Sequence, residues 1–176
     1  MFYLYHRVPQ NMQGNILYPL NLLKEKYLGV YNQEILKYDK REYLLEVKIP
    51  SLDCLWNDVL HLSPINPKDI KNALLEAGAD LKNNFSFYQI DPNYLDKKNT
   101  TVYLYGPDST LKKTNSDDFE HYEPQNIKKY SKIPSDTKKY YRESISMGKK
   151  PLLFYRLPHI LYKGTIDITG FPVISV

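Results

Sequence analysis

Three short apolar runs, each carrying a histidine and each broken by a proline, constrain this chain more than any other feature. Residues 2–9 (FYLYHRVP) set four aromatic or apolar side chains ahead of His6 and Arg7. Aromatics at that density favour an extended backbone, and Pro9 lacks the N–H that a sheet ladder needs. Residues 60–64 (LHLSP) have the same form, and residues 152–163 (LLFYRLPHILYK) place His159 between two apolar segments. Three of the four histidines therefore sit in short hydrophobic strands that end in polar groups.

A chain of 176 residues suits one domain with a real core. Its 17 tyrosines add buried area with a polar tip. The 24 basic and 20 acidic side chains leave a formal charge of +4, a milder bias than a dedicated nucleic-acid binder carries. With Cys54 the only cysteine, neither a disulfide framework nor a thiolate zinc site is expected. No apolar run approaches the roughly 20 residues that span a bilayer, and no basic segment followed by an apolar one opens the chain. The expectation is a cytoplasmic protein, or one exported without a classical signal peptide, with no membrane partner.

Along the chain, Pro19 suits the first turn of a helix in which Leu20, Leu23 and Tyr27 recur at helical spacing, with Gly29 as a stop. A short helical segment is expected over residues 32–38, and residues 41–49 (REYLLEVKI) fit either a helical turn or a strand. Residues 59–63 read as a strand. Asn66 and Pro67 then open the clearest helix, with Ile70, Ala73, Leu74 and Ala77 on one face and Gly78 after its end. Residues 85–90 and 100–105 are rich in β-formers. Residues 106–134 are polar with almost no periodic apolar signal and read as a long surface loop. A helix over residues 135–147, capped by Ser135, precedes three strands at 152–157, 159–163 and 171–176. The fold class is α+β: a single domain of split mixed or antiparallel sheets with a few short helices.

Phosphate-cradling glycine loops, helical zinc spacing and a nucleophile elbow are all missing from the sequence. Cys54, beside Leu55 and Trp56, reads as packed rather than activated. His6 is either bonded to backbone at a strand end or part of a site. Arg7 is either anion-facing or a surface ion-pair member. His61 lies between Leu60 and Leu62 and so faces away from both, in a core or sheet-surface role. Ser63 before Pro64 caps a turn or meets a ligand. His159 follows a proline and precedes an apolar run. Tyr18, Tyr103, Tyr105 and Tyr162 are core or rim aromatics, of which one or two have the flat face that stacks on a nicotinamide or adenine ring. Lysine pairs at 112/113, 128/129 and 138/139 interleave with tyrosines, but nearby acids dilute them into a solvated surface.

The order of these features resembles the ADP-ribosyltransferase superfold, in particular its short bacterial DNA-modifying toxins and the tRNA 2′-phosphotransferases. Tyr5-His6-Arg7 resembles the early strand whose histidine or arginine holds the adenosine-side ribose of NAD. Ile16 through Leu20 is similar to the family's G-L-x-P-like segment, Val59 through Ser63 to a strand reading V-H-L-S, and Tyr88 through Asp91 to a later strand. The late strand that carries the catalytic glutamate of the toxin-like members corresponds here to Pro158-His159-Ile160-Leu161-Tyr162, so His159 holds the glutamate's place. The resemblance implies NAD as substrate with no metal, His6, Arg7, Tyr18, Ser63 and Tyr105 as its contacts, and His159 at the reactive ribose. It implies an ADP-ribosyltransferase-like protein acting on a nucleic-acid or protein acceptor. The alternatives are an adenine-nucleotide or nucleic-acid binding module without turnover, and an interaction domain using residues 106–134.

Overall fold

Strands far apart in the chain assemble the sheets. The computed structural model describes residues 1–81, 84–106 and 114–176. In chain order come β1 (Leu4–Arg7), β2 (Ile16–Leu17), α1 (Leu20–Lys26), α2 (Leu28–Glu34), β3 (Lys48–Ile49), β4 (Cys54–Leu55) and β5 (Leu60–Leu62). They are followed by α3 (Pro67–Glu76), β6 (Ser86–Ile90), β7 (Thr100–Tyr103), β8 (Phe119–His121), α4 (Ile127–Tyr130) and α5 (Ser135–Ser146). The strands β9 (His159–Tyr162), β10 (Ile166–Asp167) and β11 (Val173–Ser175) complete the chain, which is a single α+β domain.

Two sheets carry the architecture, one in the order β1-β6-β11 and one in the order β5-β9-β7-β8. Every strand pair among the described residues is antiparallel, so no mixed sheet occurs there. Among the described residues a single bridge joins the two sheets: Tyr5 and Ser63 exchange both backbone hydrogen bonds at 2.8 Å. The period-2 rule assigns the faces of the four-stranded sheet. Leu60, Leu62, Val102 and Ile160 point to one side, where they pack with Leu4, Tyr88 and Ile90 of the other sheet. Tyr103 and Leu161 point to the opposite side, into a second cluster with Trp56, Val59, Leu44 and Ile49.

Local chemistry explains α3 well. The Asn66 side chain accepts from the Lys68 N–H, Pro67 occupies the first turn, and Gly78 takes φ 93° after the helix ends. Ile70, Ala73 and Leu74 face Tyr141 of α5 and Leu157 in a third cluster.

Elsewhere tertiary packing overrides the local pattern. The first helix breaks at Tyr27, φ −144°, and Gly29 lies inside α2 rather than at a helix end. Residues 41–49 supply both alternatives, a 3-10 turn over Glu42–Glu46 and then β3. The strand runs β6 and β7 do not pair with each other but belong to different sheets. Ser135 is the first helical residue of α5, with Pro134 at the cap position.

Residues 152–157 are not a strand. They form two turns, closed by Tyr155 N–H to the Leu152 carbonyl and Leu157 N–H to the Phe154 carbonyl, with Arg156 at φ 51°. Helix α5 holds them there: Tyr141 donates its hydroxyl to the Leu153 carbonyl and Thr137 donates to that of Tyr155. These bonds replace the ladder partners that a strand would need.

The described part of residues 106–134 is likewise not a loose surface loop; residues 107–113 lie outside the described residues. β8 pairs along β7, and Tyr122, Ile127 and Tyr130 are buried in the first cluster. Tyr122 donates its hydroxyl to the Pro92 carbonyl at 2.7 Å. These anchors enter the core singly between turns, which leaves no periodicity to read.

Candidate functional site

A cavity of about 560 Å³ opens where the two sheets part. Among the described residues, beyond the Tyr5–Ser63 bridge, β1 pairs only with β6 and β5 only with β9. The two strands therefore separate, and residues 5–10 and 59–63 form facing walls. The helical segment from Tyr27 to Arg41 covers one side and the turns at residues 152–155 close another. His6, Arg7, Tyr18, Ser63, Tyr105 and His159 all line this one cavity, as does His61.

His61 and His159 project from the same face of adjacent strands, because His61 is opposite Leu161 and His159 opposite Tyr103. Their ring centres are 6.1 Å apart at an interplanar angle of 84°. His61 Nε2 is 2.9 Å from the Trp56 carbonyl, and His159 Nδ1 is 2.7 Å from the Leu157 carbonyl. A carbonyl oxygen only accepts, so each of these nitrogens carries the proton and the other nitrogen of each neutral ring keeps a lone pair. Trp56 packs on His61 at 4.7 Å between ring centres, and Tyr105 meets His159 at 5.8 Å.

Burial holds all three imidazoles uncharged. It lowers His61 to about 3, with the neighbouring His159 adding to the effect, and lowers His159 to about 4 against the pull of its Leu157 bond. Burial also lowers His6 to about 4, opposed by the Arg7 backbone and, more weakly, by Glu34, and aided by Lys37. The Tyr105 phenol is pushed up by burial and stays protonated. The interior is thus neutral and aromatic.

The remaining expected contacts divide. Tyr18 lines the cavity edge-on to Tyr27 at 5.9 Å. Arg7 is exposed, its guanidinium 4.4 Å over the Phe85 ring, which puts its charge at the outer wall. Ser63 is committed to its own turn: Oγ accepts from the Ile65 N–H at 3.1 Å and donates to the Ile65 carbonyl at 3.2 Å. Its role is the turn cap, and its hydroxyl already has both partners. Cys54 is packed, its thiol raised to about 11 by burial.

Three site residues emerge only from the structure: His61, which the sequence reads in a core or sheet-surface role, Trp56 and Asn57. Trp56 forms the aromatic wall behind the histidine pair. Asn57 lines the cavity at 1% exposure, and neither atom of its carboxamide has a partner. The turn that presents them is pinned by Asp58, whose carboxylate accepts from the Leu55 N–H at 2.8 Å and from the Asn21 side chain at 2.6 Å. His6 Nδ1 is likewise buried without a partner. No spacing in the sequence marks Asn57, because its role depends on β1 and β5 separating in front of it.

Glu34 is the single carboxylate among the described residues lining the cavity, and it is ion-paired with Lys37 at the mouth. Among the described residues no group of three His, Cys, Asp or Glu side chains is placed to hold a metal ion. No described helix is long and apolar enough to cross a membrane. Compared with protein-family models, curated proteins and solved structures, the chain matches none.

Proposed function

We propose that the cavity binds an adenine nucleotide, NAD in the first instance, on an ADP-ribosyltransferase-like fold that modifies a nucleic-acid or protein acceptor. The observation that carries this reading is convergence. The six residues that the resemblance assigns to NAD come from separate parts of the chain and line one cavity. Its volume of about 560 Å³ falls in the range of small-molecule sites. A neutral aromatic interior suits a heterocyclic ring, while Arg7, Lys37 and Arg41 at the lining suit a pyrophosphate.

Binding without turnover is the second reading, and one observation favours it. His159 stands where the resemblance implies a glutamate, and an imidazole at about 4 is uncharged at neutral pH. It offers no negative charge to an oxocarbenium-like transition state, and it is a weak base. Glu34, the carboxylate available, already pairs with Lys37.

Incubation of the full chain with NAD, with calorimetric binding and nicotinamide release followed together, separates these readings. Release above that of a His6→Ala control supports the transferase. Binding with NAD recovered intact supports the binding module, and absence of binding rejects both.

A further inference from the structure

Resting on the nucleotide reading, we propose that His61 and His159 together accept both N–H bonds of one amino or carboxamide group on the buried ring. The cavity then selects amino-bearing heterocycles over their oxo or carboxylate counterparts. The argument begins from the two backbone carbonyls. Trp56 O and Leu157 O each accept a hydrogen bond from the single N–H of a neutral imidazole, so the free nitrogens, His61 Nδ1 and His159 Nε2, act only as acceptors.

The spacing suits one amino group. A nitrogen about 3.0 Å from an acceptor atom lies about 4 Å from the centre of that imidazole. Two such centres 6.1 Å apart then subtend roughly 95° at the shared nitrogen, close enough to the spread of a planar amino group for two bent but acceptable bonds. A carboxylate or ring oxo group in the same place would set its lone pairs against two more, in a site with no described cation behind the histidines. The unpaired Asn57 carboxamide in the same lining adds both a donor and an acceptor, and so matches an edge where an N–H2 adjoins an acceptor. Nicotinamide and adenine each carry such an edge, and the shared chemistry leaves open which of the two rings enters.

The test measures calorimetric affinities of the full chain for NAD, for nicotinic acid adenine dinucleotide and for nicotinamide hypoxanthine dinucleotide at neutral pH. One analogue is expected to bind about tenfold or more weakly than NAD. The nicotinic acid form weakens if the nicotinamide is inside, and the hypoxanthine form if the adenine is. His159→Phe and His61→Phe keep a flat ring against Trp56 and Tyr105 and are expected to erase the discrimination. Should either variant fail to fold, nitrogen-15 spectra of the wild-type imidazoles decide: on adding NAD, the resonances of His61 Nδ1 and His159 Nε2 shift as lone pairs accept hydrogen bonds. Equal affinity for all three dinucleotides, or unmoved imidazole resonances, overturns the proposal and leaves nucleotide binding standing. If no dinucleotide binds, the nucleotide reading fails by itself. Free nicotinamide against nicotinic acid, and adenine against hypoxanthine, then decide: an amino preference sustains the proposal and its absence overturns it.

Discussion

His61 and His159 occupy one face of two neighbouring strands, ring centres 6.1 Å apart, and each donates its only N–H to a backbone carbonyl. A proton added to either ring would be buried beside the other, with Trp56 and Tyr105 as the nearest aromatic surfaces and no described carboxylate between them. This geometry keeps the centre of the cavity neutral and makes its acidity-dependence one-sided.

Stability should therefore fall on mild acidification. His6, His61 and His159 are lowered from an ordinary value of 6.5 to about 4, 3 and 4. Below 6.5 the unfolded chain takes up protons that the folded chain refuses. The stabilisation is complete above 6.5 and is lost as pH falls towards 4, by about 1.4 kcal/mol per pH unit for each histidine. The Arg7 backbone moderates the effect at His6, Lys37 enhances it and Glu34 offsets Lys37 in part. Thermal melts between pH 7 and pH 4.5 check this, and His61→Phe should flatten the decline; a Tm insensitive to pH over that range would show that the folded rings take up protons as readily as the unfolded ones.

Asn57→Leu should stabilise the protein while impairing it. Leaving a buried carboxamide unpaired costs about 1–3 kcal/mol, and an apolar side chain of the same branching removes that cost. Scanning calorimetry should report a Tm higher by a few degrees, with weaker NAD binding in the same sample. A lower Tm would mean that the carboxamide has partners in solution.

Arg7→Gln separates the rim from the core. The guanidinium contributes a surface contact over Phe85 worth about 0.5–1 kcal/mol, so unfolding should change little. Affinity for NAD should drop several-fold and become less sensitive to salt, because a cation facing the pyrophosphate is lost. Unchanged affinity and salt dependence would remove Arg7 from the site.

Ile160→Ala probes the core that sets the two sheets against each other. Ile160 is fully buried in the cluster between them, and its truncation should cost about 2–5 kcal/mol in urea unfolding. A loss below 1 kcal/mol would show that the sheets do not depend on this contact.

Much of the architecture is legible locally. Asn66, Pro67 and Gly78 fix both ends of α3 through side-chain capping and backbone conformation alone. The alternation Leu60-His61-Leu62 assigns His61 to the face opposite the core cluster before any partner strand is known. Dense β-forming residues likewise mark β1, β6, β7 and β9.

What residues 152–157 and 114–134 become is decided elsewhere in the chain. The first segment has strand composition, but Tyr141 and Thr137 of α5 hold its carbonyls in turns. The second lacks periodicity, yet Tyr122, Ile127 and Tyr130 reach the core one at a time. The sequence by itself determined that three histidines would sit on apolar strands. Only the tertiary structure decided that His6, His61 and His159 share one cavity, beside an Asn57 that no local pattern distinguishes. Strand propensity depends on neighbours along the chain, whereas the cavity depends on where β1 and β5 stop pairing, and that is set by contacts between residues distant in sequence.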